Sequence, residues 1–203
     1  MLLRSNDYIF YPLMLVAAGL MIGLPLYLAG ADRIGVADDI RENGIFIDGE
    51  RLQTLAAGEG VSTSLMRDVD NRLFARVVAS SPRGAPNLTP SAGVFDALRP
   101  YELDAIAGQD LRVTYTLRPS DEAGAQSTDL GFFEDGLGQS YWTSHVLEPG
   151  VSDYAITVDA PYCDITFGFA GVWPGYADAA NSVDLYAIRI EVTGAADCTE
   201  QAG

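Results

Sequence analysis

Residues 8–30 read YIFYPLMLVAAGLMIGLPLYLAG, 23 positions without a charge. A helix rising about 1.5 Å per residue over that length spans a hydrocarbon core of about 30 Å. This run divides the chain before any other feature is considered: one apolar helix, then a remainder that must fold in water. Tyr8 and Tyr11 at one end and Tyr27 near the other suit the two interfaces. Pro12 falls where a first helical turn tolerates it, whereas Pro25 loosens the last turn. A cleaved signal peptide is the rival reading, since LAGADR offers small residues at a cleavage position. The apolar stretch is longer than the usual h-region of roughly 7–15 residues, and only Arg4 precedes it, which favours an uncleaved transmembrane anchor. The small residues Ala17, Ala18, Gly19 and Gly23 would let a partner helix approach closely, so integral membrane subunits are expected neighbours along with the lipid bilayer.

Charge narrows what the remainder can do. The chain has 12 Arg, no Lys, 28 acidic residues and one His, for a formal net charge of −16. Arg4 and Asp7 cancel, so all of it falls on residues 31–203. A surface this acidic repels phosphate backbones, which excludes nucleic acid as a partner. Without lysine there is no P-loop, no Schiff-base lysine and no Ser-x-x-Lys nucleophile.

Residues 31–43 read as a polar juxtamembrane linker with room for one or two helical turns, and beyond it the patterning is β. GIFIDGERL (44–52) reads as a strand broken by an Asp-Gly turn. Leu65, Val69, Leu73 and Val77 recur every four residues as in a helix, but FARVVAS favours a strand at 73–79; residues 80–91, with three prolines, form a loop. LRVTYTLR (111–118) alternates Leu111, Val113, Tyr115 and Leu117 against Arg112, Thr114, Thr116 and Arg118, the signature of a half-buried antiparallel strand. Strands follow at 129–135, 140–148, 153–161, 164–173 and 184–194. Seven or eight strands spaced by roughly ten residues predict an all-β fold, an antiparallel β-sandwich or jelly roll, over residues 44–194. Residues 195–203 are left as a tail.

The order SAGVFDAL, IAGQDLRVTYTLRPS, SDYAITVDAP, FAGVWPG, NSVDLYAIRIEV over residues 91–193 resembles the galactose-binding-like jelly rolls used by many carbohydrate-binding modules. The resemblance is one of strands and turns, with no diagnostic ligand motif. It implies a β-sandwich, sugar binding in some members, a structural calcium in others, and a bare interaction domain in many.

Candidate chemistry is sparse. His145 is the single imidazole, so no multi-histidine metal site can form and no metal ligand set is assigned. A Ser144-His145 pair lacks any nucleophile-elbow signature, and it reads as a strand histidine. Asp68, Asp70 and Asn71 look faintly like a calcium-loop fragment but lack the Gly and distal Glu of an EF-hand. No catalytic residue and no cofactor is assigned, and the chain is read as a non-enzyme. The stronger ligand or interface candidates are Tyr141, Trp142, Trp173 and Tyr176, at strand ends and loops. Cys163 and Cys198 are read as a disulfide of an exported domain. That pairing places residues 1–7 in the cytoplasm and the sandwich in the periplasm of a bacterium, at the inner membrane.

Two functions are compatible with this. The first expectation is a non-catalytic accessory subunit of a larger membrane complex, photosynthetic or respiratory. The alternative is a membrane-tethered carbohydrate-binding module that recognises envelope glycan.

Overall fold

The computed structural model describes residue 21 and residues 36–134, 142–159, 163–177 and 179–195. Apart from Met21, the expected membrane helix lies outside these, as do Ala17, Ala18, Gly19 and Gly23. No helix among the described residues is long and apolar enough to cross a membrane.

Two antiparallel sheets face each other. The first runs β3 (Val61–Arg67), β4 (Leu73–Ala79), β11 (Ser182–Ala195), β6 (Gln109–Pro119), β9 (Ser152–Val158), with β1 (Ile45–Asp48) also paired to β11. The second runs β2 (Ala56–Ala57), β5 (Val94–Ala97), β10 (Gly168–Pro174), β7 (Ser127–Glu134), β8 (Trp142–Val146). The period-two alternation of the sequence puts one set of side chains between the sheets: Leu111, Val113, Tyr115 and Leu117 of β6 are all buried, as are Leu185, Ile188 and Ile190 of β11. From the second sheet Val94, Leu130, Phe132, Ala170 and Val172 meet them. Tyr115 is fully buried and donates its hydroxyl to the carbonyl of Gly131 at 2.7 Å, so one hydrogen bond joins β6 to β7 through the core. The β-sandwich expected from the sequence is therefore present.

Several local expectations change. Residues 44–52 do not make a strand bent at an Asp-Gly turn. Gly49, at φ +52°, carries the chain out of β1 into a 3-10 helix, Gly49–Thr54. That turn buries Leu52 and aims Arg51 inward. The four-residue spacing of Leu65, Val69, Leu73 and Val77 is not helical: Leu73–Ala79 is the expected strand, paired with β3, and Val69 stands fully exposed at the hairpin tip. Asn71 there adopts φ +63°.

Two helical pieces brace the sandwich. Residues 36–43, within the stretch read as linker, form helix α1, and Ile40 is 7% exposed in the main core. Arg41 donates from Nε to the carbonyl of Ala105 at 3.1 Å, which docks α1 on helix α2 (Pro100–Ile106). Helix α2 starts with Pro100 in its first turn, and Glu102 Oε2 accepts the Arg99 backbone N–H at 2.8 Å. Arg51 ties these pieces to the second sheet. Its Nη1 donates to Glu102 Oε1 at 2.5 Å and its Nη2 to Asp96 Oδ2 at 2.6 Å, both carboxylates having side chains 3% exposed. Burial works against the Arg51 charge, but its hydrogen bonds to Glu102 and Asp96 and their negative charges outweigh it and hold the guanidinium above its ordinary pKa.

Candidate functional site

The outward face of the second sheet is aromatic rather than polar, which is the unusual feature of this molecule. Direct cross-strand partners share a face, so the register defines the array. One rank runs Ala97, Phe169, Phe133; the next runs Phe95, Gly171, Gly131, Trp142; a third runs Trp173, Asp129, Ser144. The rings contact one another edge to face. Phe95 and Phe169 lie 5.2 Å apart between centroids, and Phe133 and Trp142 5.0 Å, while Phe167 stacks on Phe169 at 5.4 Å.

Residues 80–93, the proline-bearing connection from β4 to β5, do not project into solvent. They cross this face as a strap. Ser80 N–H bonds the Gly60 carbonyl at 2.8 Å, the Trp173 indole N–H donates to the Ser81 carbonyl at 3.3 Å, and Thr89 N–H reaches Glu59 Oε2 at 3.1 Å. Close approach of strap to sheet depends on a missing side chain: a Cβ on Gly171 would sit 2.2 Å from the Ala92 carbonyl oxygen. Between strap and rings lies a cleft of about 680 Å³, within the range of small-ligand sites. Arg83, Leu88 and Thr89 line its strap side, and Phe95, Phe133, Trp142, Phe167, Phe169 and Trp173 its sheet side.

The charged group lining the cleft is Arg83, and Asp129 holds it. Arg83 Nε donates to Asp129 Oδ2 at 2.5 Å, and the Ser144 hydroxyl donates to Asp129 Oδ1. The Arg83 guanidinium carbon lies 5.3 Å from the centroid of the Trp142 ring, a cation–π stack. Arg83 is therefore fixed from two sides, by a carboxylate and by an indole.

The candidates raised from the sequence fall differently. Trp142 and Trp173 both line the cleft. Trp142 is half-buried and faces outward, whereas Trp173 is 3% exposed and supports the strap from below. Tyr176 is exposed beyond the end of β10, away from the cleft lining, and Tyr141 lies outside the described residues. Phe95, Phe133, Phe167, Phe169 and Arg83 line the cleft as well, beyond the sequence candidates. The alternation in FGFAGVW carried part of that signal, since Phe167, Phe169, Gly171 and Trp173 are two residues apart.

His145 pairs with Thr128 on the inner face of β8, while Ser144 points outward to Asp129, so strand alternation separates the two residues a triad would need. The imidazole lies edge-on to Tyr154 at 5.7 Å. Asp68 Oδ1 accepts the backbone N–H groups of Asp70 at 3.0 Å and Arg72 at 2.8 Å, which makes this acidic stretch a hairpin turn. Among the described residues no group of three or more potential metal ligands gathers. Cys163 is not a free thiol, and Cys198 lies outside the described residues.

No protein-family model matches the sequence, and no curated protein does. Solved structures do match at low identity. The CBM22-1–GH10 modules of Clostridium thermocellum endo-1,4-beta-D-xylanase 10B, complexed with xylohexaose, align at 9% identity and a TM-score of 0.46, over 72% of this chain and 28% of that one. The C-terminal family 22 carbohydrate binding module of the same xylanase aligns at 16% identity and 0.41, over 70% and 87%. The enzymatically active domain of bacteriophage CBA120 tailspike protein 4 aligns at 9% identity and 0.44, over 70% and 20%. This chain thus spans under a third of the length of the first of these structures.

Proposed function

We propose that the domain is a non-catalytic glycan-binding module and that the strapped aromatic cleft is its binding site. One observation carries this reading: six aromatic rings and Arg83, itself held by Asp129, line one cleft of about 680 Å³ over the outward side of the second sheet. Apolar rings in a concave site, with a few fixed polar groups to set orientation, suit a ligand that has flat C–H faces and hydroxyl edges. A sugar chain is such a ligand. The resemblance to carbohydrate-binding jelly rolls points the same way.

In this reading the apolar run 8–30 tethers the module to the inner membrane with the sandwich outside the cytoplasm, and a Cys163–Cys198 disulfide closes the C-terminal tail. The accessory-subunit reading gains no observation from the described residues, so the alternative now leads.

The test is retention of the full chain on soluble polysaccharides in affinity electrophoresis, followed by calorimetry. Phe169→Ala and Trp142→Ala should abolish retention while the far-ultraviolet spectrum and melting temperature stay close to wild type. Failure of the wild-type chain to bind any polysaccharide tried, soluble or insoluble, would overturn the reading.

A further inference from the structure

We infer that Arg83 is the specificity-determining residue of the cleft and that the glycan it selects is uncharged, an inference that rests on the glycan-binding reading above. Arg83 Nε is committed to Asp129, yet neither Nη atom is hydrogen-bonded to any described residue. The side chain remains 37% exposed and lines the cleft. The Asp129 bond and the Trp142 stack fix the plane of the guanidinium, so its free edge offers N–H donors in a set direction. Two parallel donors match a pair of neighbouring hydroxyl oxygens on a sugar ring.

A carboxylate would match the same edge, and charge decides between them. Asp129 already neutralises Arg83 at 2.5 Å, and no other ionic side chain lines the cleft among the described residues. The domain around it carries the whole net charge of −16. A uronate, sulfated or phosphorylated polymer would enter against that field with no unpaired cation to receive it. An uncharged sugar meets no such penalty. Asp129 acts through Arg83 and is a positioning residue.

The experiment titrates the full chain with soluble xylan, mixed-linkage β-glucan and galactomannan, and with each of them after carboxymethylation. Wild type should bind at least one parent polymer, and bind its carboxymethylated form about ten-fold more weakly or not at all. Arg83→Lys retains the charge but loses the planar edge, and should weaken binding about ten-fold, the equivalent of about 1.4 kcal/mol. Asp129→Asn keeps an acceptor for Nε but removes the neutralising charge. It should shift the ratio of parent to carboxymethylated affinity toward the charged polymer, which a merely structural role would not do. Carboxymethylated polymer bound as tightly as its parent by wild type, or unchanged binding by Arg83→Lys with a wild-type melting temperature, overturns the inference while leaving the binding module standing. No binding to any parent polymer overturns both.

Discussion

Tyr115 and Gly131 connect the core to the sheet that carries the aromatic array: the buried phenol of β6 donates to the carbonyl of a glycine paired between Gly171 and Trp142. The hydrogen bond spans the two sheets at the depth where both must be rigid for the cleft to keep its shape. Tyr115→Phe keeps the ring but leaves that carbonyl without its buried donor. The expected loss is about 1–3 kcal/mol, read from the shift in a urea midpoint. A variant as stable as wild type would mean that the two sheets do not depend on this bond.

The same tyrosine makes a prediction about alkali. Burial away from water pushes the Tyr115 phenol well above its ordinary value of 10.0. The folded state therefore holds this proton more tightly than the unfolded chain. Its contribution to stability is complete below pH 10 and declines as pH rises above it. Stability measured by denaturant should fall with pH beyond that point in wild type and fall less steeply in Tyr115→Phe. In an ultraviolet phenolate titration Tyr115 should ionise only with unfolding.

Removing Arg51 should be among the most damaging single changes to the fold. It would strand Asp96 and Glu102, two carboxylates 3% exposed, without their shared cation. Breaking a buried ion pair from one side costs about 3–5 kcal/mol. Arg51→Ala should therefore be expressed poorly or melt far below wild type. The double variant Asp96→Asn with Glu102→Gln, added to Arg51→Ala, should recover part of the loss, since no buried charge then remains.

The link between α1 and the sandwich can be tested in the same terms. Ile40 is 7% exposed and belongs to the main core, although it precedes the first strand. Ile40→Ala should cost about 2–4 kcal/mol by a two-state denaturant curve. A change under about 0.5 kcal/mol would show that α1 lies loosely on the domain.

How much of this was legible in the sequence depends on the range of the interactions involved. The strands at Leu73–Ala79, Gln109–Pro119 and Ser182–Ala195 were readable because alternation is local and one face of each is apolar. Helix α2 does not stand out in the sequence although Pro100 and Glu102 form a helix-start signal, because seven residues hold too little periodicity among strands. The 3-10 helix at Gly49–Thr54 depends on Arg51 reaching residues 45 and 51 positions further along, which no local pattern contains. The cleft was half visible. Trp142 and Trp173 stand out at strand ends, whereas nothing local marks Phe95, Phe133 and Phe169 as sharing a face with them. Alternation shows that one face of a strand is apolar without showing that both faces are. The strap reads as an ordinary loop in the sequence, because its anchors at Gly60, Glu59, Asp129 and Trp173 are set by the tertiary fold.

That strap yields the last prediction. Its passage over the sheet requires Gly171 to carry no side chain, since a Cβ there would meet the Ala92 carbonyl oxygen at 2.2 Å, a backbone atom that cannot swing aside. Gly171→Ala should lift residues 80–93 from the rings while the inner face of β10, with Ala170 and Val172 fully buried, stays packed. Arg83 would then lose its contact with Asp129, and the Arg83–Gly84 bond would become open to trypsin. Limited proteolysis should cut Gly171→Ala at Arg83 at least several-fold faster than wild type, with mass spectrometry assigning the site. Polysaccharide affinity should fall in parallel, because the strap supplies the polar side of the cleft. Equal cleavage rates in the two proteins would mean that the strap does not need the contact at Gly171 to stay in place.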